Sequence, residues 1–328
     1  MTPKLSICIP TYNRAAYLAQ CLESVIQALF GYEDVVEIIV SDNCSTDNTE
    51  KILADLQAKN TLLKVWRNNE NVGGDRNILL AGMRGRGEYV WILGDDDKIR
   101  PEAVKEVLKR INVKPDLVIC NFSSHTKLFE REIAARYFRV TPDKQFKRRD
   151  DVLKTFGMSL GFISSVVFRG QYLRSAPVVE YEKYFDYGWA FLKILFGSLP
   201  VDCQVEYIST PMVCNRLGNS AIPDWAKWFV KGSAILLEDL EAAGYSSDSV
   251  ASAKNLVIRD YVVNYIVNSK ADGRPLGALF HYLRHYYNHC WRYWGQCLPL
   301  AMVPAIILSI LKKTYIRLRD LKRARIYE

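Results

Sequence analysis

The chain of 328 residues is poor in histidine, with four, and in methionine, with five, and it shows no internal repeat and no low-complexity tract. Its eight cysteines are scattered at 8, 21, 44, 120, 203, 214, 290 and 297, none in C-x-x-C spacing. That excludes zinc ribbons and disulfide scaffolds and points to a reducing compartment. The C-terminal apolar run, 298–311, falls short of the ~20 residues that a spanning helix needs, and it contains Pro299 and Pro304. Met1-Thr-Pro-Lys4 leads straight into an apolar segment, so no secretory leader is expected. Present instead is a globular composition, 49% hydrophobic and 24% charged, in a chain long enough for a large core and more than one folding unit. The net charge of +8 is modest, and seven Lys or Arg residues fall between Lys312 and Arg325.

Periodicity gives alternating strands and helices. Leu5 to Ile9, Val35 to Ser41, Leu62 to Trp66, Tyr89 to Leu93 and Asp116 to Asn121 read as short buried strands. Helices are expected over Ala15 to Phe30, Thr49 to Lys59, after the Gly73-Gly74 loop through about Arg84, and from Pro101 onward. Such alternation predicts an α/β unit with a mostly parallel sheet and helices on both faces. In these sheets the ligand lies beyond the C-terminal ends of the strands. Pro10-Thr-Tyr-Asn13, Asp42 and Asp95 to Asp97 all fall at such ends, so three polar clusters distant in sequence are expected to share one crevice.

Asp95-Asp-Asp97 dominates that crevice. Adjacent carboxylates repel, and a cation or a proton must relieve them. Oxygen-only ligands favour Mg²⁺ or Mn²⁺, which complete their shells with water and substrate phosphates. The bland alternative is a solvated acidic turn before the helix that Pro101 and Glu102 begin.

The stretches Ser6-Ile-Cys-Ile-Pro-Thr-Tyr-Asn-Arg14, Ile38-Ile-Val-Ser-Asp-Asn-Cys-Ser-Thr-Asp47, Asn71-Val-Gly-Gly with Arg76-Asn77, and Gly87-Glu-Tyr-Val-Trp-Ile-Leu-Gly-Asp-Asp-Asp97, in this order, resemble family-2 glycosyltransferases of the GT-A fold, a Rossmann-like architecture. The resemblance covers about the first hundred residues. It implies a donor of the nucleotide-diphospho-sugar class (UDP-, dTDP-, CDP- or GDP-linked), a divalent metal on its pyrophosphate, and transfer with inversion. Carried over, it puts Pro10, Thr11, Tyr12, Asn13, Arg14, Asp42, Arg76, Asn77, Asp95 and Asp97 at the nucleotide-sugar, with Asp42 accepting from a base N–H. It makes Asp96 the metal-binding carboxylate, Asp95 a ribose or sugar contact and Asp97 a possible second ligand. The family's usual pattern is D-x-D-D, and here Gly94 stands at its first position. The general base that an inverting transfer requires matches Asp186 in Tyr184-Phe-Asp-Tyr-Gly-Trp189, with Glu182 as the fallback; an ordinary N-cap for a helix over Trp189 to Phe196 is the alternative for Asp186. The Trp-Ile-Leu-Gly-Asp-Asp-Asp version of the motif is similar to abequosyltransferases, which use a CDP-linked dideoxyhexose.

Between these stretches, 127–149 reads as a basic loop, and Phe156 to Phe168 resembles the region where the family closes over the donor sugar. Arg216 and Asn219 fall in a loop where a mobile lid could bring a cation to the diphosphate. From Trp225 the pattern changes to three helices, 224–243, 247–269 and 275–296, which predicts domains at 1–220 and 221–297 followed by an insert and tail at 298–328. The order of aromatic belt, apolar insert and cationic segment suits a surface at the cytoplasmic face of a membrane with anionic lipid, and hence a lipid-linked saccharide acceptor. A buried hairpin with a solvated tail is the alternative. His281, His285 and His289 recur at helical spacing, but no carboxylate is adjacent, and they read as an interfacial stripe. A nucleotidyltransferase would show a glycine-rich loop where Pro10 to Arg14 has none, and a degenerate binding module would have lost carboxylates that are all present. Nucleic acid is not an expected partner, because the positive charge follows an apolar insert and has no aromatic platform.

Overall fold

The computed structural model describes residues 2–218 and 224–310, and the chain divides into two compact units, 1–221 and 222–328. Among the described residues the first unit carries ten strands. These are β1 (Leu5–Thr11), β2 (Val36–Asp42), β3 (Leu63–Arg67), β4 (Tyr89–Ile92), β5 (Lys98–Ile99), β6 (Leu117–His125), β7 (Glu132–Ala134), β8 (Lys144–Arg148), β9 (Val166–Arg169) and β10 (Asp202–Arg216). They form one sheet in the order β3-β2-β1-β4-β9-β6-β10-β5, with β7 on β6 and β8 on β10. The block β3-β2-β1-β4 is parallel, and so is β6 with β10; β9 runs antiparallel between them. Buried runs such as Leu5 to Ile9 and Tyr89 to Leu93 are apolar on both faces because helices cover both. Helices α1 (Ala15–Ala28), α2 (Thr49–Gln57) and α4 (Ala103–Ile111) pack together, as do α3 (Gly74–Arg84), α6 (Gly170–Arg174) and α8 (Ala190–Ser198). Two short helices, α5 (Arg149–Phe156) and α7 (Glu182–Phe185), lie between β8 and α8 in the chain.

Register aligns the ends that matter. Thr11 pairs with Asp42 across β1 and β2, and Asp42 with Arg67 across β2 and β3. Beta strand β4 ends beside Cys8, so the chain leaves it at Gly94 next to the last residues of β1.

The stretch 127–149 is more than the loop that its basic composition suggests. It contains β7 and β8, and Phe146 is buried at the β8–β10 pairing, because strand partners far away in sequence supply the hydrogen bonds that the local pattern does not announce.

The second unit is helical, with α9 (Ser233–Ala242), α10 (Ser247–Val257), α11 (Val263–Ala271), α12 (Gly277–Tyr286) and α13 (Leu298–Met302), and with π-helical turns at Lys227–Gly232, Ile258–Val262 and Tyr293–Cys297. The expected third helix, 275–296, is shorter: α12 stops at Tyr286, where the buried Tyr287 hydroxyl meets Ser233 at 2.7 Å and fixes the turn. His289 therefore falls outside the helix that carries His281 and His285, and among the described residues no group of three or more His, Cys, Asp or Glu is placed to hold a metal. Lys270 closes the end of α13, donating to the carbonyls of Ala301 and Val303. No described helix is long and apolar enough to cross a membrane. The basic tail from Lys312 lies outside the described residues, as does Asn219.

Candidate active site

The crevice is built by the ends of β1, β2 and β4. After β1 the chain turns through Asn13, whose positive φ of 52° suits asparagine better than most residues. Its side chain accepts from the Thr46 N–H at 2.7 Å, and its own N–H donates to Ser45 Oγ at 2.9 Å, which locks the two loops together. Asp47 completes that lock by accepting from Ala15 N–H at 3.1 Å, capping α1 from the neighbouring loop. Pro10 is the penultimate residue of β1, and Tyr12, just beyond the strand, is 41% exposed.

Thr11 and Arg14 reach the carboxylate triplet. Thr11 Oγ1 donates to Asp95 Oδ2 at 2.7 Å, while Arg14 Nη1 donates to Asp95 Oδ1 at 3.1 Å and to Asp96 Oδ2 at 2.9 Å. Asp97 turns inward. Its oxygens accept from Ser164 Oγ at 2.6 Å and from the Arg216 N–H at 3.2 Å, and Ser164 Oγ accepts in turn from Gly94 N–H at 2.8 Å. Burial pushes the Asp95 carboxyl up to about 6 against the pull of Arg14, and it raises Asp97 as well, with the charge of Asp96 adding to the rise. Of the three, Asp96 has the most accessible side chain, and with Asp95 it already faces a cation, the Arg14 guanidinium. An oxygen-only pair of this kind fits a hard divalent ion whose remaining shell comes from water and phosphate.

Position 94 explains the departure from D-x-D-D. A Cβ there would lie 3.0 Å from Asp97 Oδ2, 3.2 Å from Asp96 Oδ1 and 3.3 Å from Ser164 Oγ. The carboxylates fold back into the volume that a side chain would take.

Asp42 is buried, with Oδ1 accepting from Ser45 N–H at 3.0 Å and Oδ2 paired with Arg67 at 2.5 Å. Asn77 lies beneath the crevice: its Oδ1 accepts from Ser41 Oγ at 2.6 Å and Asn68 Nδ2 at 3.0 Å, and its Nδ2 donates to Ser41 O at 2.9 Å. It ties the end of β2 to α3. Arg76, one residue earlier, is half exposed and pairs with Glu182 at 2.7 Å, with its guanidinium 5.2 Å from the Phe185 ring. Asp186 is exposed and directly follows α7; it is not the N-cap of α8, which is Trp189.

Arg216 differs from the mobile cation expected of a lid. It ends β10, is buried, donates through Nε to Asp96 O at 2.8 Å and through Nη2 to Gln20 Oε1 at 3.0 Å, and sits between the Tyr17 and Phe129 rings at 4.6 and 4.3 Å. Every one of those partners is remote in sequence. Ser164, Arg67 and Ser45 escaped the sequence reading as partners of the site carboxylates; the small pair Ser164-Ser165 was the one visible trace.

Comparison with known proteins agrees with this geometry. Residues 6–167 match the family model "Glycosyl transferase family 2". The chain is 30% identical over 247 residues to the abequosyltransferase of Salmonella typhimurium, covering 66% of this chain and 68% of that one. It is 32% identical over 111 residues to the GalNAc(5)-diNAcBac-PP-undecaprenol beta-1,3-glucosyltransferase of Campylobacter jejuni, with coverage of 34% and 35%. The crystal structure of Staphylococcus aureus TarS (1–349) in complex with UDP-GlcNAc superposes with a TM-score of 0.63 at 16% identity, covering 86% of this chain and 80% of that one, which shows the shared GT-A fold. With the strand-end crevice, its carboxylate triplet and these matches together, the chain is a glycosyltransferase and belongs to glycosyl transferase family 2.

Proposed function

We propose that the protein is a metal-dependent, inverting transferase that moves one sugar from a nucleotide-diphospho-sugar to a hydroxyl of a lipid-linked saccharide, in synthesis of a bacterial surface polysaccharide such as O-antigen or capsule. The observation that carries this reading is the single crevice in which Thr11, Arg14, Asp95 and Asp96 meet at the ends of β1 and β4. Tyr12 offers an exposed ring to the base, while Asp42 supplies a charged acceptor at the neighbouring strand end, already ordered by Ser45 and Arg67. Asp96, with Asp95, would hold Mg²⁺ or Mn²⁺. When bound, that ion neutralises charge on the leaving diphosphate. Arg76 keeps its place in the proposed nucleotide-sugar site as a half-exposed cation on α3, held by its pair with Glu182.

In the transfer itself the acceptor oxygen attacks the anomeric carbon from the face opposite the diphosphate. The carbon–oxygen bond to the diphosphate breaks as the new one forms, and the hydroxyl proton passes to the Asp186 carboxylate. Two features support the lipid-linked acceptor. A curated relative is named for an undecaprenol-linked substrate, and the second unit exposes Trp291, Trp294, Met302, Ile306 and Ile310 immediately before a segment with seven Lys or Arg residues. Both features support a location at the cytoplasmic face of the inner membrane, as a peripheral or monotopic protein. The likeness of the Trp91 to Asp97 motif to abequosyltransferases favours CDP as the carrier.

The test is calorimetric titration with UDP, CDP, GDP and dTDP, each with and without Mn²⁺, on wild type and Asp96→Ala. Binding of one nucleotide that requires Mn²⁺ and disappears in the variant is expected. Absence of binding by all four under both conditions would defeat the transferase mechanism.

A further inference from the structure

The first turn of α3 carries two charged neighbours whose side chains act on the same stretch of chain. Arg76 pairs with Glu182 at 2.7 Å and lies over Phe185. Asp75 takes the backbone N–H of Gly188 on its carboxyl, while its Oδ2 is buried with no hydrogen-bond partner among the described residues. The stretch between, Glu182 to Gly188, contains α7 and then Asp186, and it reverses at Gly188, whose φ is 72°.

This is an unusual place for a half-buried carboxyl with one oxygen, Oδ2, fully enclosed. Burial raises the Asp75 group to about 7, and the Gly188 N–H only partly offsets that. A serine or asparagine in the first turn would satisfy the helix end without the desolvation cost. What an aspartate adds, once ionised above about pH 7, is a charge-assisted hydrogen bond to a backbone amide, stronger than a neutral one and aimed at a fixed point. The Arg76–Glu182 pair is half exposed and by itself a weak constraint. Two ties from adjacent residues of one rigid helix, one at each end of a seven-residue segment, fix position and direction together.

We propose that Asp75 and Arg76 form a two-point clamp that positions the Glu182–Gly188 segment, and with it Asp186, for activation of the acceptor hydroxyl. Asp75 is thus a positioning residue. The catalytic meaning of the clamp rests on the reading of Asp186 as the base, whereas its existence does not. Displacement of a reacting group by about 1 Å can cost about a hundredfold in rate, so a released segment would lower turnover while leaving the donor pocket intact.

The test is hydrogen–deuterium exchange on the full chain, comparing wild type, Asp75→Ala, Asp75→Asn and Glu182→Gln through the peptides that cover 182–189. Asp75→Ala is expected to speed exchange there by about tenfold or more while the β1, β2 and β4 peptides stay protected. Asp75→Asn, which keeps an acceptor for Gly188, is expected to restore most of the protection. Glu182→Gln, at an exposed position, loosens the other end and gives a second readout should Asp75→Ala not fold. Unchanged exchange over 182–189 in Asp75→Ala and Glu182→Gln would overturn the clamp, and so would faster exchange spread evenly over the first unit. Calorimetry with the same four nucleotides and Mn²⁺ separates the two claims: binding by wild type, with affinity kept within about twofold in Asp75→Ala, supports a role confined to the acceptor side. Loss of nucleotide binding in that variant counts against it. If wild type binds none of them, the transferase mechanism fails and the exchange data still decide the clamp.

Discussion

At Gly94 the missing side chain is what lets two carboxylates, Asp96 and Asp97, and the Ser164 hydroxyl occupy one small volume, with the Arg216 N–H on Asp97. Gly94→Asp, which rebuilds the family's usual D-x-D-D, is therefore expected to harm the protein. The added Cβ meets oxygens at 3.0 to 3.3 Å and brings a fourth negative charge. Urea unfolding should show a loss of about 2 to 3 kcal/mol, and nucleotide binding should weaken with it. Asp75 gives a second residue-scale expectation, with a definite sign. Its carboxyl is raised from 3.8 to about 7 in the folded state, so the folded protein holds the proton more tightly than the unfolded chain. The associated stability is complete below about pH 4 and is lost as pH rises through 7. Asp75→Asn does not titrate. Measured against wild type by urea unfolding at pH 5 and pH 8, the variant should gain on wild type at the higher pH, by at most about 2.7 kcal/mol, the two units between pH 5 and the folded value. A difference that does not change with pH would mean that Asp75 is not buried as described.

At the scale of elements, the active-site floor depends on a strand that contributes no carboxylate. Strand β10 runs beside β6, bulges around Pro211, and ends in Arg216, which grips Asp96 O, Gln20 and Lys127 O from between two rings. The Arg216 N–H also holds Asp97. Arg216→Ala is expected to cost about 3 kcal/mol in urea unfolding, since it strips several partners from buried acceptors at once. Fluorescence of Tyr and Trp near the crevice and proteolysis within 127–134 should report loosening there. If the variant unfolds like wild type, Arg216 is not the clasp of β10 to the triplet loop.

For the whole molecule the expectation concerns a surface. Trp291 and Trp294, each 60% exposed, and Met302 and Ile306, at 79% and 68%, share the second unit with the start of the cationic segment. Aromatic and aliphatic groups of this kind enter the interfacial layer, and each nearby Lys or Arg adds about 1 kcal/mol on an anionic surface. Co-sedimentation with vesicles containing phosphatidylglycerol should therefore be strong at low salt and fall by about tenfold or more near 0.5 M NaCl. Trp291→Ala with Trp294→Ala should weaken what salt leaves. Equal recovery on neutral and anionic vesicles would remove the cationic segment from the account.

The sequence by itself determined the alternation of β1 to β4 with α1 to α3, because buried strands and amphipathic helices differ in period over windows of a few residues. It also determined which polar clusters stand at strand ends, and the motifs there carried the family. Local pattern could not reveal β7 and β8 inside a basic stretch, nor stop α12 at Tyr286, because in each case the deciding contact comes from another part of the chain. The same holds within the site. That Asp97 faces Ser164 and Arg216 while Asp96 faces Arg14, that Arg216 is a buried clasp, and that Asp75 meets Gly188 all depend on residues distant in the chain, by 67 to 196 positions for the hydrogen bonds of Asp96, Asp97 and Arg216 named above. Sequence fixes which charges exist; which of them are desolvated, paired or left facing the crevice is settled only when tertiary packing sets the distance between them.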